Sequence, residues 1–178
     1  MRIESIPPVE GANLHLRPLD LADIDAWYEY LSRPHVLRHT SWSLKSSEEL
    51  RPLIEQYNSD APASQLRFAI CSGPSQSLIG TIGFHTISVS NRTAEMAYDI
   101  HPAHWGRGVA SACCRAVVAW AFAEHRYVRI QATVLDTNAA SVRVLEKCGF
   151  TLEGKLRSLR MVRDEPRDFW VYSRLRTD

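Results

Sequence analysis

Two glycines one residue apart, where a strand gives way to a helix, are the most chemically telling feature of this sequence. The stretch Ile100-His-Pro-Ala-His-Trp-Gly-Arg-Gly-Val-Ala-Ser111 reads as a strand end, a tight loop and a helix start. The first turn of a helix carries backbone N–H groups without intrahelical partners and the positive end of the helix dipole. Gly106, Gly108, Ala110 and Ser111 are small enough to let a diphosphate reach those amides, and Arg107 and Arg115 add countercharge nearby. This chemistry predicts a phosphate-bearing ligand without saying which one. The spacing Gly106-x-Gly108-x-x-Ser111 also touches the dinucleotide fingerprint. That motif, however, follows the first strand of a repeated βαβ unit, with an acidic residue about 20 positions on. Here the loop follows several antiparallel strands, and the Gly-Lys-Ser/Thr of a P-loop is absent.

Other reactive residues form weaker patterns. His35 and His39 have helical i, i+4 spacing but no accompanying third ligand, and His101 and His104 flank Pro102, so no metal is expected. The four cysteines, Cys71, Cys113, Cys114 and Cys148, include no C-x-x-C pair and read as buried or half-buried thiols. Cys113 and Cys114 are neighbours on one helix and are not expected to face the same core.

The elements that must position the loop follow from periodicity. Leu14–Leu19 alternates as a strand, and Asp20 caps a helix running to about Ser32, which Pro34 follows. Ser46 and Glu49 have capping-box spacing at the head of a second helix, Ser46–Asn58. Strands at Gln65–Cys71, Leu78–Ser88 and Arg92–Ile100 form an antiparallel meander. After the loop come a helix at Val109–His125, a strand at Arg129–Leu135 and a helix at Ala139–Cys148 closed by Gly149. Closing strands at about Thr151–Ser158 and Arg167–Arg176 flank a turn near Asp164-Glu-Pro166.

With 178 residues, 45% of them apolar, the chain suits one globular domain over 1–178. Its apolar runs are too short for a membrane helix, and its first residues lack a secretory h-region, so a cytoplasmic protein is expected. Twenty-one basic and 20 acidic residues give a net charge of +1 with the signs interleaved, which argues against nucleic acid or a membrane surface as partner.

The loop resembles motif A of the GNAT superfamily of N-acetyltransferases, Q/R-x-x-G-x-G/A, here Trp105-Gly-Arg-Gly108-Val-Ala110. Trp105 in place of Gln or Arg resembles the RimJ/RimL-like branch, the ribosomal-protein N-acetyltransferases and their relatives. Leu14–Leu19, Leu78–Gly83, Ala94–Tyr98 and Asn138–Phe150 extend the resemblance, in order, over nearly the whole chain. It implies a GNAT-like α/β (α+β) fold: a mixed, mostly antiparallel seven-stranded sheet flanked by about four helices and splayed between strands 4 and 5. It further implies acetyl-CoA as cosubstrate, with its pantetheine arm near Ile100 and His101. Trp105, Gly106, Arg107, Gly108, Val109, Ala110 and Ser111 would form the pyrophosphate loop. By the same resemblance Asn138 contacts the arm, Ser141 approaches the sulfur, and Arg143 and Lys147 are weaker candidates for the nucleotide phosphates. Asn138 also reads as a plain helix N-cap.

The implied reaction is direct attack of a neutral amine on the thioester, which needs a deprotonated amine, a stabilised oxyanion and help for the departing thiolate. Glu95 is the candidate base, and strand alternation places Glu95, Ala97 and Asp99 on one face. Many GNAT enzymes carry a tyrosine four residues before the Gly-Phe pair; here that position is Leu145. Ser141 is the expected replacement near the sulfur, with Tyr98 and Tyr172 in reserve. Acceptor recognition falls to Trp27, Tyr28, Trp42, Arg160, Arg163 and Trp170. The branch suggests a protein N-terminal α-amine; a polyamine, an amino acid, an amine toxin, or a catalytically idle acyl-CoA-binding module are the alternatives. Either a monomer or a homodimer fits.

Overall fold

Strand alternation and helical periodicity resolve into one sheet with helices on both of its faces. The computed structural model describes residues 5–10, 13–41, 43–59 and 65–178. In chain order the elements are β1 (Leu14–Pro18), α1 (Ile24–Leu31), α2 (Pro34–Leu37), α3 (Arg51–Tyr57), β2 (Leu66–Ser72), β3 (Leu78–Ser88) and β4 (Thr93–Ile100). They continue with α4 (Val109–Glu124), β5 (Arg129–Leu135), α5 (Ala139–Lys147), β6 (Thr151–Val162) and β7 (Glu165–Leu175). The seven strands lie in the order β1-β2-β3-β4-β5-β7-β6. All neighbours are antiparallel except β4 and β5. That parallel pair holds only over Thr93–Glu95 against Arg129–Gln131, after which the two strands part.

One apolar cluster gathers Phe68, Ile70, Ile82, Phe84, Met96, Ile130 and Val134 from the sheet with Cys113, Val117 and Leu145 from α4 and α5. The second holds Trp27, Tyr30, Leu31, Leu50 and Ile54 against Ala69, Cys71 and Leu78. Cys113 and Cys114 both belong to the first cluster and both are fully buried, against the sequence reading. The reason is that α4 is covered on more than one side: it packs on β3 and β4, touches α5, and is tied to the N-terminal segment by Trp120 Nε1 donating to Ser5 Oγ at 2.8 Å.

Two other expectations about the elements change. Pro34 opens a helix instead of only ending one, because proline at the first helical position gives up an N–H that has no partner there anyway. There are thus five α-helices among the described residues, and the Ser46–Glu49 capping box starts a 3-10 turn that runs into α3. The closing strands are also longer than expected. They turn on Arg163 and Asp164, both at positive φ (51° and 62°), the two-residue geometry that matches strand twist. Ser158, at φ 49°, lies within the irregular register of β6 between Leu156 and Arg160. Neither feature carries the usual glycine.

A polar knot ties the second cluster to β4. Asp99 accepts hydrogen bonds from Arg67, from the Tyr30 hydroxyl, from Thr81 Oγ1 at 2.8 Å and from Trp27 Nε1 at 3.1 Å. Arg67 and Asp99 side chains are each only 4% exposed. Replacing Asp99 by alanine would leave the Arg67 guanidinium buried without its counter-ion. Asp99→Ala should therefore lower stability by about 3–5 kcal/mol, read from the midpoint of urea unfolding.

Candidate active site

The parting of β4 from β5 leaves strand backbone without a strand partner, and the chain builds a site around it. The His101 N–H bonds the Ile79 carbonyl at 2.9 Å, which fixes the alternation along β4. The backbone groups of Ala97, Asp99 and His101 are thereby directed at β3, and those of Tyr98 and Ile100 at the opening. The Ile100 carbonyl is already met there by Trp105 Nε1 at 2.7 Å. Of the two residues expected to pair with a ligand arm, Ile100 has its backbone on the open side. His101 does not: its N–H serves β3, and its ring Nδ1 accepts from the Ala103 N–H at 3.1 Å.

Next to the opening lies a cavity of about 470 Å³, lined by Trp105, Gly106, Gly108, Val109, Ala110, Ser111, Arg143 and Lys147 among others. Gly106 and Gly108 sit at φ +72° and +78°, and a Cβ added at either would meet nothing within 4 Å. These glycines are therefore needed for the backbone turn, and they leave its surface uncovered. Gly108 is the N-cap of α4, and no side chain caps the helix. The first helical bond runs from the Ala112 N–H to the Gly108 carbonyl at 3.0 Å. The amides of Val109, Ala110 and Ser111 precede that bond and have no intrahelical acceptor. Arg107 is exposed and does not line the cavity.

A second cavity, about 340 Å³, lies over the β4–β5 gap and is lined in part by Leu53, Tyr57, Arg67, His85, Met96, Ala132, Thr133, Arg160 and Phe169. Both cavities share the same five residues at their meeting point: His39, Thr40, Tyr98, Asn138 and Ser141. Asn138 caps α5, its Oδ1 accepting from the Ser141 N–H at 3.1 Å, while its Nδ2 donates to the His39 carbonyl at 3.4 Å. The Tyr98 and Ser141 hydroxyls are 2.7 Å apart. Burial pushes the Tyr98 phenol well up, only partly offset by its bond to Ser141, so it stays protonated. Leu145 is fully buried, which leaves the junction to Tyr98 and Ser141. Tyr172 lines neither cavity.

Glu95 lies at the fork of β4 and β5, enclosed by donors. Its carboxylate accepts from Thr133 Oγ1 at 2.6 Å, Arg160 Nη2 at 3.1 Å and Gln131 Nε2 at 3.2 Å, and His85 Nε2 stands 3.3 Å away. His85 occupies a bulge in β3, which re-aims its ring. Burial alone would raise the Glu95 pKa, but the bonds from His85 and Thr133 prevail and hold it at about 2. So low a value makes Glu95 a weak proton acceptor, contrary to the role expected of it. His39, which the sequence reading passed over as a catalytic group, lies at the junction with a buried Nδ1 that has no partner among the described residues. Burial, and next the charge of Arg38, lower its pKa and favour the neutral ring.

Residues 13–151 match the acetyltransferase (GNAT) domain family. The chain belongs to the GNAT acetyltransferase family. A relative named as an uncharacterized N-acetyltransferase, YoaA of Bacillus subtilis, is 35% identical over 171 residues, 94% of this chain and 96% of its own. A spermidine N-acetyltransferase of Vibrio cholerae, solved with CoA and spermine, shares the fold with a TM-score of 0.82 at 23% identity, over 93% of this chain and 96% of that one. RimL, a ribosomal L7/L12 α-N-protein acetyltransferase, does so with a TM-score of 0.83 at 22% identity, over 96% and 94%.

In this GNAT N-acetyltransferase, few of the residues expected to recognise an acceptor reach the second cavity. Trp27 is buried on Asp99, the Tyr28 hydroxyl donates to the Lys45 carbonyl, and Arg163 donates to the Leu37 carbonyl. Trp170 lies under Lys155, and Trp42 is outside the described residues. Arg160 alone of that set lines the cavity. For the loop, Gly108→Glu should place bulk and negative charge beside the free amides. Its affinity for CoA, measured by calorimetry, should fall at least about 100-fold, a loss of roughly 2.7 kcal/mol.

Proposed function

We propose that this N-acetyltransferase takes an acetyl group from acetyl-CoA and passes it directly to an α-amine, as at a protein N-terminus. One observation carries the proposal: the cavity beside the glycine loop and the cavity over the β4–β5 gap share Tyr98, Asn138, Ser141 and His39 at their junction. A donor and an acceptor entering from the two sides would meet there, with no covalent intermediate on the protein required. Acetyl-CoA supplies the activated acyl group as a thioester. The amides of Val109, Ala110 and Ser111 would hold its diphosphate, with Arg143 and Lys147 placed for the further phosphates.

The roles at the junction follow from protonation. A backbone N–H of Tyr98 or Ile100, directed into the opening, suits a developing oxyanion. With the Tyr98 phenol as donor in the contact between the two hydroxyls, the serine's own hydrogen would be left to steady the departing sulfur. Neutral His39 takes the proton of the attacking amine, the part that Glu95 is too acidic to play. A weakened imidazole is enough for an α-amine. With a reference pKa of roughly 7.7–8.0, deprotonating it at pH 7 costs about 1 kcal/mol, against about 4.6 kcal/mol for a lysine-like amine at roughly 10.4. The fold shared with the α-N-protein acetyltransferase RimL is in keeping with this acceptor.

The test is release of free CoA from acetyl-CoA over a panel of peptides and small amines. Ser141→Ala should lower kcat about 10- to 100-fold while CoA affinity stays near that of the parent protein. An unchanged kcat would remove Ser141 from the mechanism. The acid limb of the kcat/KM profile should reflect two deprotonations, of the amine and of His39, and His39→Gln should lower its limiting slope from about two to about one, leaving only the amine's own ionisation. A slope unchanged in the variant would return the base role to another group. CoA binding without turnover on any amine would mark an idle acyl-CoA-binding module.

A further inference from the structure

The lining of the acceptor cavity is uneven in its polar groups. Its described lining residues include Arg67, Arg160, His39 and His85, and no aspartate or glutamate. Arg67 is held within the polar knot, its Nε donating to Thr81 and its Nη2 to Asp99. Glu95, beneath the cavity, is 13% exposed at its side chain and is committed to its surrounding donors.

Arg160 is different. Of its guanidinium nitrogens only Nη2 has an acceptor, Glu95 Oε1 at 3.1 Å, while Nε and Nη1 have none among the described residues. The group lies over the Phe169 ring, 5.3 Å from its centroid, and the side chain is 35% exposed. Glu95 thus holds one corner of the guanidinium and Phe169 holds one face. One Nη2 hydrogen shares an edge of the fork with Nε–H and the other shares an edge with Nη1, and the edge turned away from Glu95 has the geometry that takes a carboxylate or a phosphate through paired hydrogen bonds. Because the side chain is already held, binding an anion there immobilises little that is not immobilised already.

From this we infer that the acceptor amine carries an anionic group, a carboxylate or a phosphate, and that Arg160 receives it. The inference rests on the acetyl-transfer reading of the same site and narrows its acceptor. A polyamine is the opposite case. Its second ammonium would lose water in this cavity without meeting an exposed carboxylate of the described lining, beside a guanidinium of like charge.

The experiment measures kcat/KM for CoA release with matched acceptors: the dipeptide amides of alanine with aspartate, asparagine or lysine, free alanine, O-phosphoethanolamine and spermidine. At least one anionic acceptor should exceed the asparagine dipeptide about tenfold or more. Which one does so tells a peptide side-chain carboxylate from a free amino acid or a phosphate. Arg160→Gln should collapse that ratio to within about twofold, and Arg160→Lys should restore part of it. CoA affinity by calorimetry confirms that each variant keeps its donor site. Best turnover on spermidine or on the lysine dipeptide, or a ratio indifferent to Arg160→Gln, would overturn the inference while leaving acetyl transfer intact. CoA binding with no turnover on any acceptor would instead overturn the acetyl-transfer reading, and the inference with it.

Discussion

The site depends on a place where two strands stop being neighbours. β4 and β5 share only Thr93–Glu95 and Arg129–Gln131, and at the end of that short ladder stands the Glu95 carboxylate. It bonds Gln131 and Thr133 on β5, Arg160 on β6, and has His85 of β3 beside it, so one side chain joins four strands at the fork. Below it the sheet is continuous; above it the backbone of Tyr98 and Ile100 has no strand partner. Unpaired backbone of this kind is costly unless something answers it. Trp105 answers one carbonyl through its indole, and the rest is left where a ligand would lie.

β4 carries a second carboxylate, Asp99, four residues on and on the same face, with a different task. Asp99 is locked by Arg67, Tyr30, Thr81 and Trp27 and fastens α1 to the sheet. Glu95 fastens the strands on the far side of the gap. Between the two anchors lies Ala97, a small residue that leaves room for the acceptor cavity. Both carboxylates are taken up by hydrogen-bond donors from their surroundings. The groups proposed to react, Tyr98, Ser141 and His39, have fewer bonds and stand between these rigid anchors.

Much of this was legible in the sequence where the signal is local. The limits of β3 and β5, read between turn and loop residues, are those observed, and the glycine loop announces itself because small residues and a helix start coincide. Asn138 is readable as a cap, and the structure shows it capping. What escaped depends on partners distant in the chain. The face of Glu95 could be read from strand parity, but its acidity is set by His85 on β3 and by Thr133 and Gln131 on β5. His85 reaches it through a bulge that no composition marks, and His39 gains its position from α2, a four-residue helix too short for periodicity. The turn expected near Asp164-Glu-Pro166 falls slightly earlier, at Arg163-Asp164, and the kink at Ser158 was missed, because ordinary residues adopt there the backbone that glycine usually supplies.

The β6–β7 hairpin shows how this architecture separates two kinds of change. Its tip reaches back to α2 through Arg163 Nη1 on the Leu37 carbonyl, and its body carries Arg160. No part of it lines the cavity beside the glycine loop. On the proposed reading, exchanges in this ribbon would remodel what is acetylated and leave the handling of the thioester alone. A roof that is separate from the furnace would let one scaffold take new clients without relearning its chemistry.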